Sequence, residues 1–227
     1  LGVLQTSLQY FFFYIGISNT SGIKGAILQS GSTFFTVIAA HFIYRNDKMD
    51  FYKTMSLILG FGGIALINVG KGLDMNFKVL GEGFLIATAL VSTIATFFVK
   101  GISGKINPVV LTGGQMFAGS LLLLGVGKVG MGGQALLFDK VSFGLLIYTS
   151  FISAAAFLLW YTLLKYNKAG EVSIYRLFIP VFGSLLSVLF IKEEVFTGKL
   201  LGGLILVVVG MVVLNIEKQS NPPEEHI

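Results

Sequence analysis

AGEVSIYRLFIPVFGSLLSVLFI, residues 169–191, is the stretch whose reading decides the fold. It is apolar almost throughout, and its 23 residues are enough for a helix to cross a bilayer, since ~20 residues at ~1.5 Å each span the ~30 Å hydrocarbon core. One charge, Arg176, lies inside it. The small and polar residues Ser173, Arg176, Pro180, Ser184 and Ser187 follow one another at steps of three or four, which places them on one face of a helix. The remaining faces carry Leu, Val, Ile and Phe and suit lipid. A polar stripe on a membrane helix faces either a closely packed neighbour or a water-filled path.

An earlier stretch carries the same pattern. Residues 22–44, GIKGAILQSGSTFFTVIAAHFIY, present Gly25, Gln29, Thr33, Thr36 and Ala40 on one face. Gln29 and Arg176 are 147 positions apart, as are Thr33 and Pro180, and at that offset Tyr14 meets Tyr161, Phe35 meets Phe182, Gly63 meets Gly210 and Asn68 meets Asn215. Span ends, stripes and identities agree over ~70 residues, which we read as an internal repeat.

Composition agrees with a membrane chain. The 227 residues are 54% hydrophobic and 12% charged, with a mean hydropathy of +0.83. A soluble domain carries about 25% charged residues, so a water-facing surface could not be covered. The 29 glycines and 21 phenylalanines suit close helix packing in lipid. A net charge of +5 without a basic cluster points to loop lysines near headgroups and not to nucleic acid. Cysteine is absent, so the chain offers neither a disulfide nor a thiolate metal site. The first residue is Leu and the start is already apolar, which we read as a start inside a longer reading frame.

Charge-free runs place eight transmembrane helices at 1–23, 25–44, 54–70, 83–99, 106–127, 141–164, 177–191 (extending back to about Ala169) and 200–216. Period-two alternation is missing, so barrel strands are not expected. The connections are too short for a soluble domain. The expected organisation is an incomplete first repeat at 1–77 with three helices, a second at 78–217 with five, and a polar, disordered tail at 218–227. Five crossings per unit is odd, so a tandem copy would be inverted, and the intact fold would have ten helices. Two helices missing from the first copy would leave one side of the cavity open. If the first residue is cytoplasmic, eight Lys or Arg lie inside and seven outside, which does not fix the orientation.

Catalytic signatures are sparse. Gly127-Lys128 is followed by Val129, so no phosphate loop is formed. His41 and His226 are too few for a metal site, and a hydrogen-bonded or solvated role is expected for His41. Gly101-Ile102-Ser103-Gly104 matches the short GxSG motif of intramembrane serine proteases, but no His follows it in any span to activate the serine. No Asp or Glu lies mid-span; Glu82 and Glu171 sit at helix starts, where the helix dipole favours them. The residues left to line a cavity are Gln5, Gln9, Gln29, Thr33, Ser92, Gln115, Trp160, Ser173, Tyr175, Arg176 and Pro180. Gln5 and Gln9 stand four apart, as do Thr88 and Ser92, and Thr112, Gln115 and Gly119 form a further stripe. For the glutamines, helix-to-helix hydrogen bonding competes with cavity lining. Trp160 and Tyr161 lie near Lys165 at a span end, where aromatic side chains anchor at the interface. Arg176 either reaches back to the interface or meets substrate. Ser56/Gly60 and Gly198/Gly202 read as packing seams.

The segment KAGEVSIYRLFIPVFGSLLSVLFIKEEVFTGKLLGGLILVVVGMVVLN, residues 168–215, resembles the closing two helices of EamA-type proteins of the drug/metabolite transporter superfamily, with Pro180, Glu193 and Gly202 at the signature places. The first copy has Thr33 and Asn46 where the second has Pro180 and Glu193. The resemblance implies ten helices in two inverted repeats, a central cavity, no cofactor, and movement of small polar metabolites such as amino acids, often outward, across a bacterial inner membrane. Its partners are then the lipid bilayer and a small-molecule substrate, with a homodimer left open and no nucleic acid. A membrane-embedded enzyme or a non-transporting membrane protein of the same shape is the competing reading.

Overall fold

The computed structural model describes residues 1–20, 22–68, 77–130, 139–179, 181, 182, 186, 189 and 197–220. Among these residues there are eight helical elements and no strand. Helix α1 opens with a π-helical stretch, Gly2–Leu8, and continues as Gln9–Ser18. It is followed by α2 (Gly22–Ile43), α3 (Phe51–Asn68) and α4, which opens with Val79–Gly83 and continues as Phe84–Ser103. Next come α5 (Pro108–Gly130), α6 (Lys140–Tyr166) and α7, made of Ala169–Ile174 and a tightened 3-10 turn at Tyr175–Leu177. The last is α8 (Gly198–Ser220). Its helix runs on through Ser220, into the start of the tail that composition marks as disordered. Among the described residues, three helices, Val79–Ser103, Pro108–Val129 and Lys140–Tyr166, are long and apolar enough to cross a membrane, and Phe51–Leu66 and Gly198–Leu214 are shorter apolar helices.

Local sequence starts four of these eight helices. The Asp50 carboxylate accepts from the Lys53 N–H, the Asn107 amide oxygen from the Val109 N–H ahead of Pro108, the Asp139 carboxylate from the Ser142 N–H and the Thr197 hydroxyl from the Leu200 N–H. Each is an N-cap oxygen on a first-turn amide, and Pro108 occupies the first helical position, where its missing N–H costs nothing. The Ser142 hydrogen bonds hold the Asp139 carboxyl below its ordinary value. Across the molecule, Glu82 accepts from the Lys78 N–H and from the Thr20 hydroxyl, each at 2.7 Å, so the start of α4 is tied to the end of α1.

Two apolar clusters hold the helices together. One joins α2, α3, α7 and α8 around Val37, Ile64, Leu177 and Val207; the other joins α4, α5, α6 and α7 around Val99, Leu111, Leu164 and Val172. The tightest seam is between α3 and α8. A Cβ on Gly63 would lie 2.6 Å from the Gly203 carbonyl oxygen, and the Ser56 hydroxyl donates to the Gly210 carbonyl at 2.6 Å. Small residues let the backbones meet. The expected Ser56/Gly60 pair does pack, with Gly60 against Leu177, and Gly202 meets Leu66; Gly198 meets no neighbour among the described residues. By contrast, α6 is exposed on every side from Val141 to Ile152, as an apolar helix surrounded by lipid would be.

Candidate functional site: a buried polar belt

The stripes of α2 and α7 face each other. The Thr33 hydroxyl of α2 donates to the Ser173 carbonyl of α7 at 3.2 Å, and both residues are buried. One turn along in α7, Arg176 donates from Nη1 to the Ser92 hydroxyl of α4 at 3.2 Å. Its guanidinium lies 5.1 Å from the centre of the Trp160 ring of α6, a cation–π distance. Threonines close the α2–α4 seam: the Thr36 hydroxyl meets that of Thr93, and Thr93 in turn reaches the Ser32 carbonyl. Four helices thus contribute Gln29, Thr33, Ser92, Trp160, Ser173 and Arg176 to one polar belt.

Two polar atoms of this belt are buried with no hydrogen-bond partner among the described residues, Gln29 Oε1 and Ser173 Oγ. A buried acceptor or hydroxyl left alone costs ~1–3 kcal/mol. No described carboxylate pairs with Arg176.

The other candidates lie elsewhere. Gln5 donates to Gln9 at 2.7 Å along α1, and the Thr6 hydroxyl donates to Gln115 Oε1 of α5 at 2.9 Å. In that second group Gln5 Oε1, Thr112 Oγ1 and Gln115 Nε2 are buried without partners among the described residues. Tyr175 is 37% exposed. Pro180, Ser184, Ser187 and Glu193 lie outside the described residues. Tyr161 is no interfacial anchor, being fully buried in the second apolar cluster, and half-buried Trp160 underlies Arg176. Their distance from Lys165 along the chain is overridden by packing of α6 against α4 and α7. His41 accepts the Met49 N–H at Nδ1, the hydrogen-bonded role expected of it. Ser103 of the short serine motif donates to the Lys100 carbonyl.

Asp47 of the α2–α3 connection and Lys53 of α3 form an ion pair at 2.9 Å with each side chain 2% exposed. The other Asp47 oxygen accepts the Gly170 N–H at 2.7 Å, and Lys53 also donates to the Lys48 carbonyl. Nearby, Lys100 donates to the Leu164 and Asn167 carbonyls and closes the end of α6. These contacts lie together at the end of the molecule next to the α2–α3 and α6–α7 connections. No pattern around Asp47 signals the contact, because its partner Gly170 lies 123 residues away.

These features define a helical, multi-pass membrane protein with an interior polar belt. A family model for the EamA-like transporter family matches residues 1–69 and 79–216, and the chain belongs to that family. It is 26% identical over 218 residues to an uncharacterized transporter of Archaeoglobus fulgidus, covering 94% of this chain and 75% of the relative. To the uncharacterized transporter YvbV of Bacillus subtilis it is 26% identical over 220 residues, covering 96% and 71%. A WAT1-related chloroplastic protein of Arabidopsis thaliana is 22% identical over 206 residues, covering 87% and 49%. One solved crystal structure superposes with a TM-score of 0.80 at 16% identity, covering 95% of this chain and 76% of the other, a likeness of fold.

Proposed function

We propose that the chain is a secondary transporter of small polar metabolites, such as amino acids or related compounds, working outward by alternating access across a bacterial inner membrane. The observation that carries this reading is the belt itself. Its polar groups point inward from four helices, and Gln29 Oε1 and Ser173 Oγ are buried with hydrogen-bonding capacity that no described residue uses. A polar guest satisfies such atoms; lipid does not.

The fold reading that accompanies it is two inverted five-helix repeats, the first contributing residues 1–77 and the second 78–217. Helix starts support it: Gly22 and Ala169 are 147 positions apart, and so are Phe51 and Gly198. The two stretches of the family match, 1–69 and 79–216, divide the chain at nearly the same point. Alternating access then follows from one repeat rocking against the other around a fixed site.

Reconstituted protein in vesicles loaded with a metabolite panel tests the proposal. The expected result is efflux of at least one small polar compound above the rate of protein-free vesicles. Flux equal to that of protein-free vesicles for the whole panel would overturn it.

A further inference from the structure

Helix α2 is tied down at both of its ends, each time by a carboxylate. Ahead of Gly22, the Thr20 hydroxyl donates to Glu82 Oε1 at the start of α4, at 2.7 Å. Beyond Ile43, Asp47 Oδ2 accepts the Gly170 N–H at the start of α7, also at 2.7 Å. The 22 residues of α2 set the two ties ~33 Å apart. Both ties join residues of 1–77 to residues of 78–217. The second oxygen of each carboxylate stays within its own half: Lys53 holds Asp47 Oδ1 at 2.9 Å, and the Lys78 N–H holds Glu82 Oε2 at 2.7 Å. Each end also has a glycine at the junction. A Cβ on Gly170 would lie 2.9 and 3.1 Å from the two Asp47 oxygens, and one on Gly81 would lie 2.9 Å from the Asn19 carbonyl oxygen.

We infer that Asp47 and Glu82 are paired latches between the two halves. Releasing Gly170 from Asp47 lets the halves part on one side of the membrane, and releasing Thr20 from Glu82 lets them part on the other. This rests on the two-repeat transporter reading above and adds which bonds its cycle breaks. The division of each carboxylate suits the role. Because the anchoring bond survives, a released carboxylate is not left bare: Asp47 keeps Lys53, and Glu82 keeps an N–H at the start of α4, where the helix dipole favours a negative charge. A charge-assisted hydrogen bond away from water is strong enough to favour the joined state, and a single such bond is weak enough to open and close repeatedly. Lys100, by contrast, joins α4 to the Leu164 and Asn167 carbonyls inside the second half, so it stays made when Asp47 lets go.

Thiol labelling of the cysteine-free chain tests this without a substrate. The reporter is Ser92→Cys, at a buried belt position ~15 Å along α4 from Glu82 and ~16 Å from Ser103. An impermeant methanethiosulfonate is added to one side or the other of sealed vesicles, and Asn167→Cys and Lys78→Cys, each alone, mark the two sides. Added to the reporter, Gly170→Ala wedges the Asp47 latch and should speed labelling about tenfold from the Asn167 side, with the rate from the Lys78 side unchanged. Thr20→Val removes the donor to Glu82 at nearly constant volume and should do the opposite. Tenfold is the factor that losing one hydrogen bond to a charged group supplies. The inference is overturned if either variant speeds labelling from both sides, from the wrong side or from neither; unsided loosening is what a merely structural tie gives. Should Thr20→Val fail to insert, Gly81→Ala replaces it, and should Gly170→Ala fail, the Glu82 end decides alone. Sided labelling in vesicles that show no metabolite flux would uphold the latches and overturn the transporter reading. Flux with unsided labelling would do the reverse.

Discussion

At the residue scale, a hydroxyl and a charge show how differently buried polar groups announce themselves. Arg176 is legible in the sequence because it interrupts an apolar run, and a charge there needs a reason. Tyr161 is not. Beside Trp160 and near Lys165 it reads as an interface residue, yet it is fully buried and its hydroxyl has no partner among the described residues. An unused buried hydroxyl costs more than the methyl-sized gap its removal leaves. Tyr161→Phe is therefore expected to stabilise the purified protein by ~1 kcal/mol, read as a higher melting temperature in detergent. A lower melting temperature would mean that the hydroxyl is satisfied in the native protein.

At the element scale, the contrast between local and borrowed caps explains what the sequence reveals. Asp50, Asn107, Asp139 and Thr197 stand just ahead of their helices and cap them, so these starts can be read from the chain. The start of α7 cannot. Lys168 precedes it and has no side-chain oxygen, and the cap is Asp47, held in place by Lys53. Removing one member of a buried ion pair strands the other, at a cost of ~3–5 kcal/mol, whereas replacing both by groups of similar volume is often near neutral. Asp47→Ala is expected to lower stability by about that amount. The double variant Asp47→Asn with Lys53→Met should lower it less, because the amide oxygen can still accept from Gly170. Equal losses in chemical or thermal unfolding would count against the ion pair as the determinant.

At the scale of the whole molecule, the connections sort into two groups. The α2–α3, α4–α5 and α6–α7 connections meet at one end, tied by Asp47 to Gly170 and by Lys100 to Asn167. Thr20, after α1, and Lys78 and Glu82, at the start of α4, meet at the other. Charge counting left the orientation balanced, but the grouping itself is testable, and the absence of cysteine gives a clean background. Single substitutions Lys48→Cys, Lys105→Cys and Asn167→Cys should react with an impermeant thiol reagent from one side of sealed vesicles. Lys78→Cys and Lys140→Cys should react from the other. Mixed sidedness within either group would contradict the arrangement.

The 3-10 turn at Tyr175–Leu177 gives α7 a built-in gear. Such a turn advances ~120° and ~2.0 Å per residue, against ~100° and ~1.5 Å in an α-helix. Were these three residues to relax to α geometry with Gly170 still pinned on Asp47, everything beyond Leu177 would rotate by ~60° about the helix axis and draw in by ~1.5 Å. Arg176 lies inside the wound segment, so its guanidinium would swing away from Ser92 as the winding changed. A small change of pitch in that single turn would thereby shift Arg176 relative to Ser92.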